Sequence, residues 1–143
     1  RGSTRSRSAS DVRAVGSRAD GTPWNVGVED PNPDADASLV NVNLTDASLV
    51  TSGTYERYYT VNGVRYHHLI DPATLYPSTR YTSVTVLCAD SGIADCLSTA
   101  LFNMSYEEGL ALVDGLENTG ALWVYDDGST RMSAVFETAL RAS

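Results

Sequence analysis

The sequence predicts an α+β domain of mainly antiparallel strands with two helices. Three observations point there. Asn62-Gly63 lies at the centre of Arg57–Leu69 (RYYTVNGVRYHHL), and Asn-Gly supplies both positive-φ positions of a type I′ hairpin turn. Thr82–Leu87 (TSVTVL) is a β-branched run of the kind that fills a buried strand. Two helical segments then follow in succession. Ile93–Asn103 stands behind the capping residues Asp90 and Ser91, and Tyr106–Glu117 stands behind Ser105.

The remaining elements follow along the chain. Arg1–Ser10 (RGSTRSRSAS) has no periodic apolar pattern and reads as a flexible arm or tag remnant, leaving 11–143 as the folded lobe. Asp11–Gly16 alternates as a short strand, Asp20-Gly21-Thr22-Pro23 is a turn, and Trp24–Val28 is a second strand, so the two are expected to pair as a hairpin. Glu29–Ala37 holds two prolines and four acids and is expected to be an exposed loop. Leu39–Val50 alternates in part and ends at Thr51-Ser52-Gly53. Beyond the helices, Ala121–Tyr125, the turn Asp126-Asp127-Gly128 and Met132–Phe136 predict a closing hairpin. No internal repeat is visible.

Length and composition bound the class more than the chemistry. A chain of 143 residues with 42% hydrophobic content can bury one ordinary core. No apolar run approaches the roughly 18 residues of a membrane-spanning helix, and the first residues lack the apolar stretch of a signal peptide. Five of the ten arginines lie in residues 1–18 against a single acid, Asp11. From residue 19 onward five basic residues face seventeen acidic ones, a net of −12 that disfavours nucleic acid. An anionic ligand would therefore need a cation or oriented backbone amides. The absence of lysine excludes P-loop and Schiff-base chemistry. Cys88 and Cys96, both in apolar surroundings, are expected to be buried free thiols.

Three segments carry chemical information. In His67-His68-Leu69-Ile70-Asp71-Pro72, the period of a strand places His67 and His68 on opposite faces, so only one can serve a given site. His68 shares a face with Ile70, and Asp71 is biased to an extended conformation by Pro72, where strand gives way to loop. In Ala94-Asp95-Cys96-Leu97-Ser98-Thr99, Asp95 and Thr99 are four apart and present a carboxylate and a hydroxyl on one helix face. Both are hard oxygen donors of the kind Mg2+ takes, with phosphate and water completing its octahedron. A helix N-terminus just before Asp95 would add a partial positive charge. The plainer reading is an acid favouring the helix dipole and a threonine bonded back to a carbonyl. In Leu49–Tyr55 (LVTSGTY), small hydroxyl residues around Gly53 allow close backbone approach to a phosphate or ring, and equally spell a turn.

The order and spacing of these segments resemble the ApbE family, the FAD:protein FMN transferases. The resemblance runs over about residues 11 to 136, through DVRAVG, DGTPWNVGVEDP, LVTSGTYERYY, NGVRYHHLIDPATLYP, SVTVLCADSGIADCLSTALFNMS and a closing MSAVF. It implies the C-terminal lobe of an ApbE-like, T-fold-related fold. It implies FAD as substrate, Mg2+ beside the pyrophosphate, and transfer of FMN to a threonine of an acceptor flavoprotein with release of AMP. By position it assigns His68 to catalysis and Asp95 and Thr99 to the metal. Thr51, Ser52, Gly53, Tyr55, Ile70, Asp71 and Pro72 become flavin-side or scaffold positions. It also implies a bacterial cell-envelope lipoprotein, and pairing with an N-terminal half or a second copy. Two departures stand out: Ala9-Ser10 where the family has a glycine pair, and Leu75 where glycine is common. The resemblance leaves open a flavin-binding module, an FAD pyrophosphatase, or a lobe inactive without its partner half.

Overall fold

A computed structural model of the chain describes residues 11–28, 30, 38–53, 58–61, 64–67 and 81–140. Among them lie the strands β1 (Asp11–Ala14), β2 (Trp24–Val28), β3 (Val40–Leu44), β4 (Ala47–Gly53), β5 (Tyr58–Val61), β6 (Val64–His67) and β7 (Ser83–Cys88). The helices α1 (Ser91–Phe102) and α2 (Tyr106–Asp114) follow, then β8 (Gly120–Val124), β9 (Thr130–Met132) and α3 (Ala134–Ala139). The centre is a five-stranded sheet in the order β1-β4-β7-β8-β9, with every neighbouring pair antiparallel. The α+β class is as the sequence predicts.

Every residue of β7 and of β8 is buried, because layers cover both faces of the sheet. On one face Val84, Val86, Ala121 and Trp123 pack with Ala94, Leu101 and Phe102 of α1 and Val113 of α2. On the other, Leu49, Leu87, Leu122 and Val124 pack with Val28, Val42 and Leu44 of the β2-β3 pair and Phe136 of α3. Strand alternation sends neighbouring residues into the two cores.

The first two strands do not pair with each other. β1 pairs with β4, from Asp11↔Val50 to Ala14↔Ala47, while β2 pairs with β3, from Trp24↔Leu44 to Val28↔Val40. The partly alternating stretch Leu39–Val50 holds β3 and the start of β4. Asp46 adopts a left-handed φ of 47°, which an aspartate tolerates, and its Oδ1 accepts from Gly16 N at 2.7 Å. That reversal carries the chain from one layer to the other. β4 then continues through Thr51, Ser52 and Gly53, which are strand residues rather than a turn.

The chain end also differs from the expected hairpin. β9 stops at Met132, and residues 134–139 form α3 where a strand over 132–136 is expected. Ser133 closes the ladder by bonding Ala121 twice: its N–H donates to Ala121 O at 2.9 Å, and its Oγ accepts from Ala121 N at 3.0 Å. Phe136 is then buried over Gly120. β5 and β6 pair from Tyr58↔His67 to Val61↔Val64, the two-residue hairpin that Asn62-Gly63 predicts. α2 ends at Asp114, short of Glu117. Cys88 and Cys96 are free thiols, but only Cys88 is buried. Cys96 is exposed on the outer side of α1, a correction to the expected burial of both. Among the described residues no helix is long and apolar enough to cross a membrane.

Candidate functional site

The first helix organises the candidate site. Asp90 caps it, its Oδ1 accepting from Gly92 N at 2.8 Å and Ile93 N at 3.0 Å. These amides are therefore engaged by the protein's own carboxylate. Asp95 sits in the second turn of the helix, and the first turn holds no acid. The sequence reading of Asp95 immediately beyond a free helix N-terminus is corrected accordingly.

Helix periodicity buries Ala94, Ser98, Leu101 and Phe102 against the sheet and leaves Asp95 and Thr99 on an exposed flank. Four residues apart, the two side chains stand one above the other, with Cβ atoms roughly 5–6 Å apart. Neither the Asp95 carboxylate nor the Thr99 hydroxyl has a hydrogen-bond partner among the described residues. Thr99 takes part through its carbonyl, which accepts from Asn103 Nδ2 at 3.1 Å. The back-bonding serine or threonine of this turn is Ser98, whose Oγ donates to Asp95 O at 2.9 Å. A carboxylate and a hydroxyl on one exposed face are hard donors that fit a small divalent cation as two of six ligands. Among the described residues no group of three or more His, Cys, Asp and Glu side chains comes together, so further ligands would come from phosphate, water or elsewhere.

β4 lies beneath α1. Ser52 points to the helix and meets Ser98, Oγ to Oγ, at 2.8 Å, so the structure brings the TSG segment and the ADxxST helix together. Thr51 points to the opposite face, where its Oγ1 lies 2.8 Å from Thr85 Oγ1. Gly53 ends the strand and is buried. His67 is the last residue of β6. Tyr55, His68, Ile70, Asp71 and Pro72 lie outside the described residues.

Two features escaped the sequence reading. One is Ser98, whose importance depends on what faces it. The other is an open cleft of about 460 Å³ lined by residues including Tyr81, Tyr106, Tyr125 and Arg131, and by none of the predicted site residues. There the Arg131 guanidinium lies over the Tyr106 ring at 4.8 Å and beside Tyr125 at 5.9 Å. Burial raises the Tyr125 phenol above its ordinary pKa, and Arg131 opposes that rise. The lining also holds Ser105, Glu107, Asp127 and Ser129, and the Asp127 carboxylate there is engaged by Ser129, whose hydroxyl donates to Asp127 Oδ1 at 2.6 Å and whose N–H donates to it at 2.8 Å.

The sequence matches the model of the ApbE family over residues 7–123. It is 41% identical over 125 residues to the FAD:protein FMN transferase of Treponema pallidum (strain Nichols), which covers 87% of this chain and 34% of the relative. The FAD:protein FMN transferase of Klebsiella pneumoniae (strain 342) is 39% identical over 102 residues, 71% of this chain and 32% of the relative. In structure the chain is similar to the ApbE protein of Thermotoga maritima, with a TM-score of 0.83 and 36% identity over 92% of this chain and 43% of that one. The flavin transferase ApbE of Vibrio cholerae superposes with a TM-score of 0.72 and 34% identity, over 91% of this chain and 42% of that one. The chain thus spans about a third of the length of these curated relatives.

Proposed function

The chain belongs to the ApbE family, and from that premise we propose that it carries the metal-binding and phosphoryl-transfer part of a Mg2+-dependent FAD:protein FMN transferase. The observation that carries the reading is the Asp95 and Thr99 pair, two side-chain oxygen donors on one exposed face of α1 with no hydrogen-bond partner among the described residues. Asp95 and Thr99 would hold Mg2+ as two of its ligands, and the cation would supply neutralisation of the negative charge that develops in phosphoryl transfer. The reaction forms a bond between an acceptor threonine oxygen and the FMN phosphorus and breaks the pyrophosphate P–O bond. AMP leaves with the electron pair, and the hydroxyl proton passes to His68. Thr51, Ser52, Gly53, Tyr55 and the Ile70-Asp71-Pro72 segment serve as flavin-side or scaffold positions. The setting is the bacterial cell envelope.

Family membership supports this reading, as do the printed activities of the relatives. A second reading is favoured by one fact: the matched part, 87% of this chain, is only 34% of the Treponema pallidum relative. On that reading the lobe acts only beside further chain, or beside a second copy, and otherwise holds FAD or cleaves it. The test is incubation with FAD, Mg2+ and a threonine-bearing acceptor, read by mass spectrometry. We expect an FMN adduct on threonine and free AMP, lost in His68→Ala and largely kept in His67→Ala. Free FMN and AMP with an unmodified acceptor would instead identify a pyrophosphatase. Transfer that survives His68→Ala but fails in His67→Ala would reverse the assignment of the two histidines.

A further inference from the structure

We infer that Ser98, tethered by Ser52, is a positioning residue that sets the Asp95 and Thr99 pair in place for a divalent cation. The inference rests on the metal reading above and deepens it. Ser98 has a single hydroxyl proton, and it is donated to Asp95 O at 2.9 Å. The 2.8 Å contact between Ser52 and Ser98 must therefore run from the Ser52 hydroxyl to Ser98 Oγ. The result is a directed chain from the strand to the helix: Ser52 O–H to Ser98 Oγ, and Ser98 O–H to the carbonyl of Asp95.

That carbonyl is the one that in a regular helix also accepts the N–H of the residue four further on, Thr99. The chain of hydroxyls therefore grips the carbonyl whose helix hydrogen bond links the two proposed metal ligands. Both members are sequestered, Ser98 fully and Ser52 with 6% exposure, so the bonds act where water does not compete. Helix stability alone gives no reason for this serine. Alanine is the better helix former, and a mid-helix hydroxyl bonded back to a carbonyl weakens and bends the turn. The bond to Ser52 fixes how far α1 is rolled and slid over β4. With a side-chain pair on the flank of that helix, roll and slide decide where the two oxygens stand. Ser52 thereby acts from the scaffold side of its segment.

The experiment is a titration of the 15N-labelled chain with MgCl2, followed through the amide resonances of residues 95–99. The variants are Ser98→Ala, Ser52→Ala, the double variant and Asp95→Asn. Wild type should show a saturable shift, and Asp95→Asn should abolish it. Each serine variant should raise the Mg2+ dissociation constant at least ~3-fold, with the double variant no worse than the weaker-binding single, since either change cuts the same chain. Ser52→Ala leaves the helix sequence intact and serves where Ser98→Ala loses dispersed resonances. A merely structural role would lower thermal stability and leave Mg2+ affinity within ~2-fold of wild type, which overturns the inference. Effects that multiply in the double variant overturn it as well. If wild type shows no saturable shift, or Asp95→Asn changes nothing, the metal reading itself fails and the inference falls with it.

Discussion

Gly120 opens β8 directly beneath α3, and replacing it with alanine tests the packing that distinguishes the structure from the expected closing hairpin. A Cβ at this position would stand 2.7 Å from Phe136 N, 3.0 Å from Phe136 Cα and 3.1 Å from its Cβ. The first two are backbone atoms, so no rotamer change relieves them and α3 must shift as a unit. Overpacking of a filled core costs about 1–3 kcal/mol. At about 2.1 cal/mol/K of unfolding entropy per residue, each kcal/mol moves the Tm of a domain this size by about 3 °C. Gly120→Ala should thus lower Tm by about 3–10 °C in a far-UV circular dichroism melt. Gly115→Ala is the control: its φ is −78°, its added Cβ would meet only Ala111 O and Leu112 O at 3.5 Å, and its Tm should stay within about 3 °C of wild type. A Gly120→Ala Tm within about 1 °C of wild type would refute the packing of Phe136 on Gly120 and return residues 132–136 to the strand reading.

Other expectations can be checked on the same protein. Asp90→Ala removes both amide bonds at the head of α1 and should cost about 1 kcal/mol in chemical denaturation, whereas an unchanged midpoint would show the cap to be idle. Cys96 should react with a water-soluble disulfide reagent in the native protein while Cys88 reacts only after unfolding; equal native reactivity of the two thiols would contradict their placement. The Ser129 side chain and backbone hold the Asp127 carboxyl below its ordinary value. Its folded pKa lies below the unfolded one, so its contribution to stability is present above the unfolded pKa and fades as pH falls through the folded value. Ser129→Ala should move the Asp127 titration, followed by NMR, toward higher pH; a fixed midpoint would count against the bond.

What the sequence made legible was local. Asn62-Gly63 placed the β5-β6 hairpin, the run ending at Leu87 placed β7, and Asp90 and Ser105 placed the starts of α1 and α2, because each signal resides in a few adjacent residues. Partner choice was not local. β1 has the length and alternation to pair with β2, and it pairs instead with β4, beside a reversal at Asp46, which is bonded to Gly16 thirty positions away. Residues 132–136 carry β-formers, and their helical state depends on the space that Gly120 leaves for Phe136. The site divides in the same way. The spacing of four puts Asp95 and Thr99 on one helix flank, as found, while their assignment to a metal comes from the family resemblance; Ser98 looks like any helical serine until Ser52 is seen across from it.

The central claim is that Asp95 and Thr99 serve FMN transfer through a bound cation, and its most direct test is the Mg2+ dependence of FMN addition to a threonine-bearing acceptor. Mass spectrometry would follow the adduct across an Mg2+ series for wild type, Asp95→Asn and Thr99→Ser. Because Asp95 brings the only charge of the pair, Asp95→Asn should require at least ~10-fold more Mg2+ for half-maximal transfer, while Thr99→Ser, which keeps the hydroxyl, should stay within ~3-fold. An Asp95→Asn protein that transfers FMN with the wild-type Mg2+ dependence would remove this helix face from the reaction.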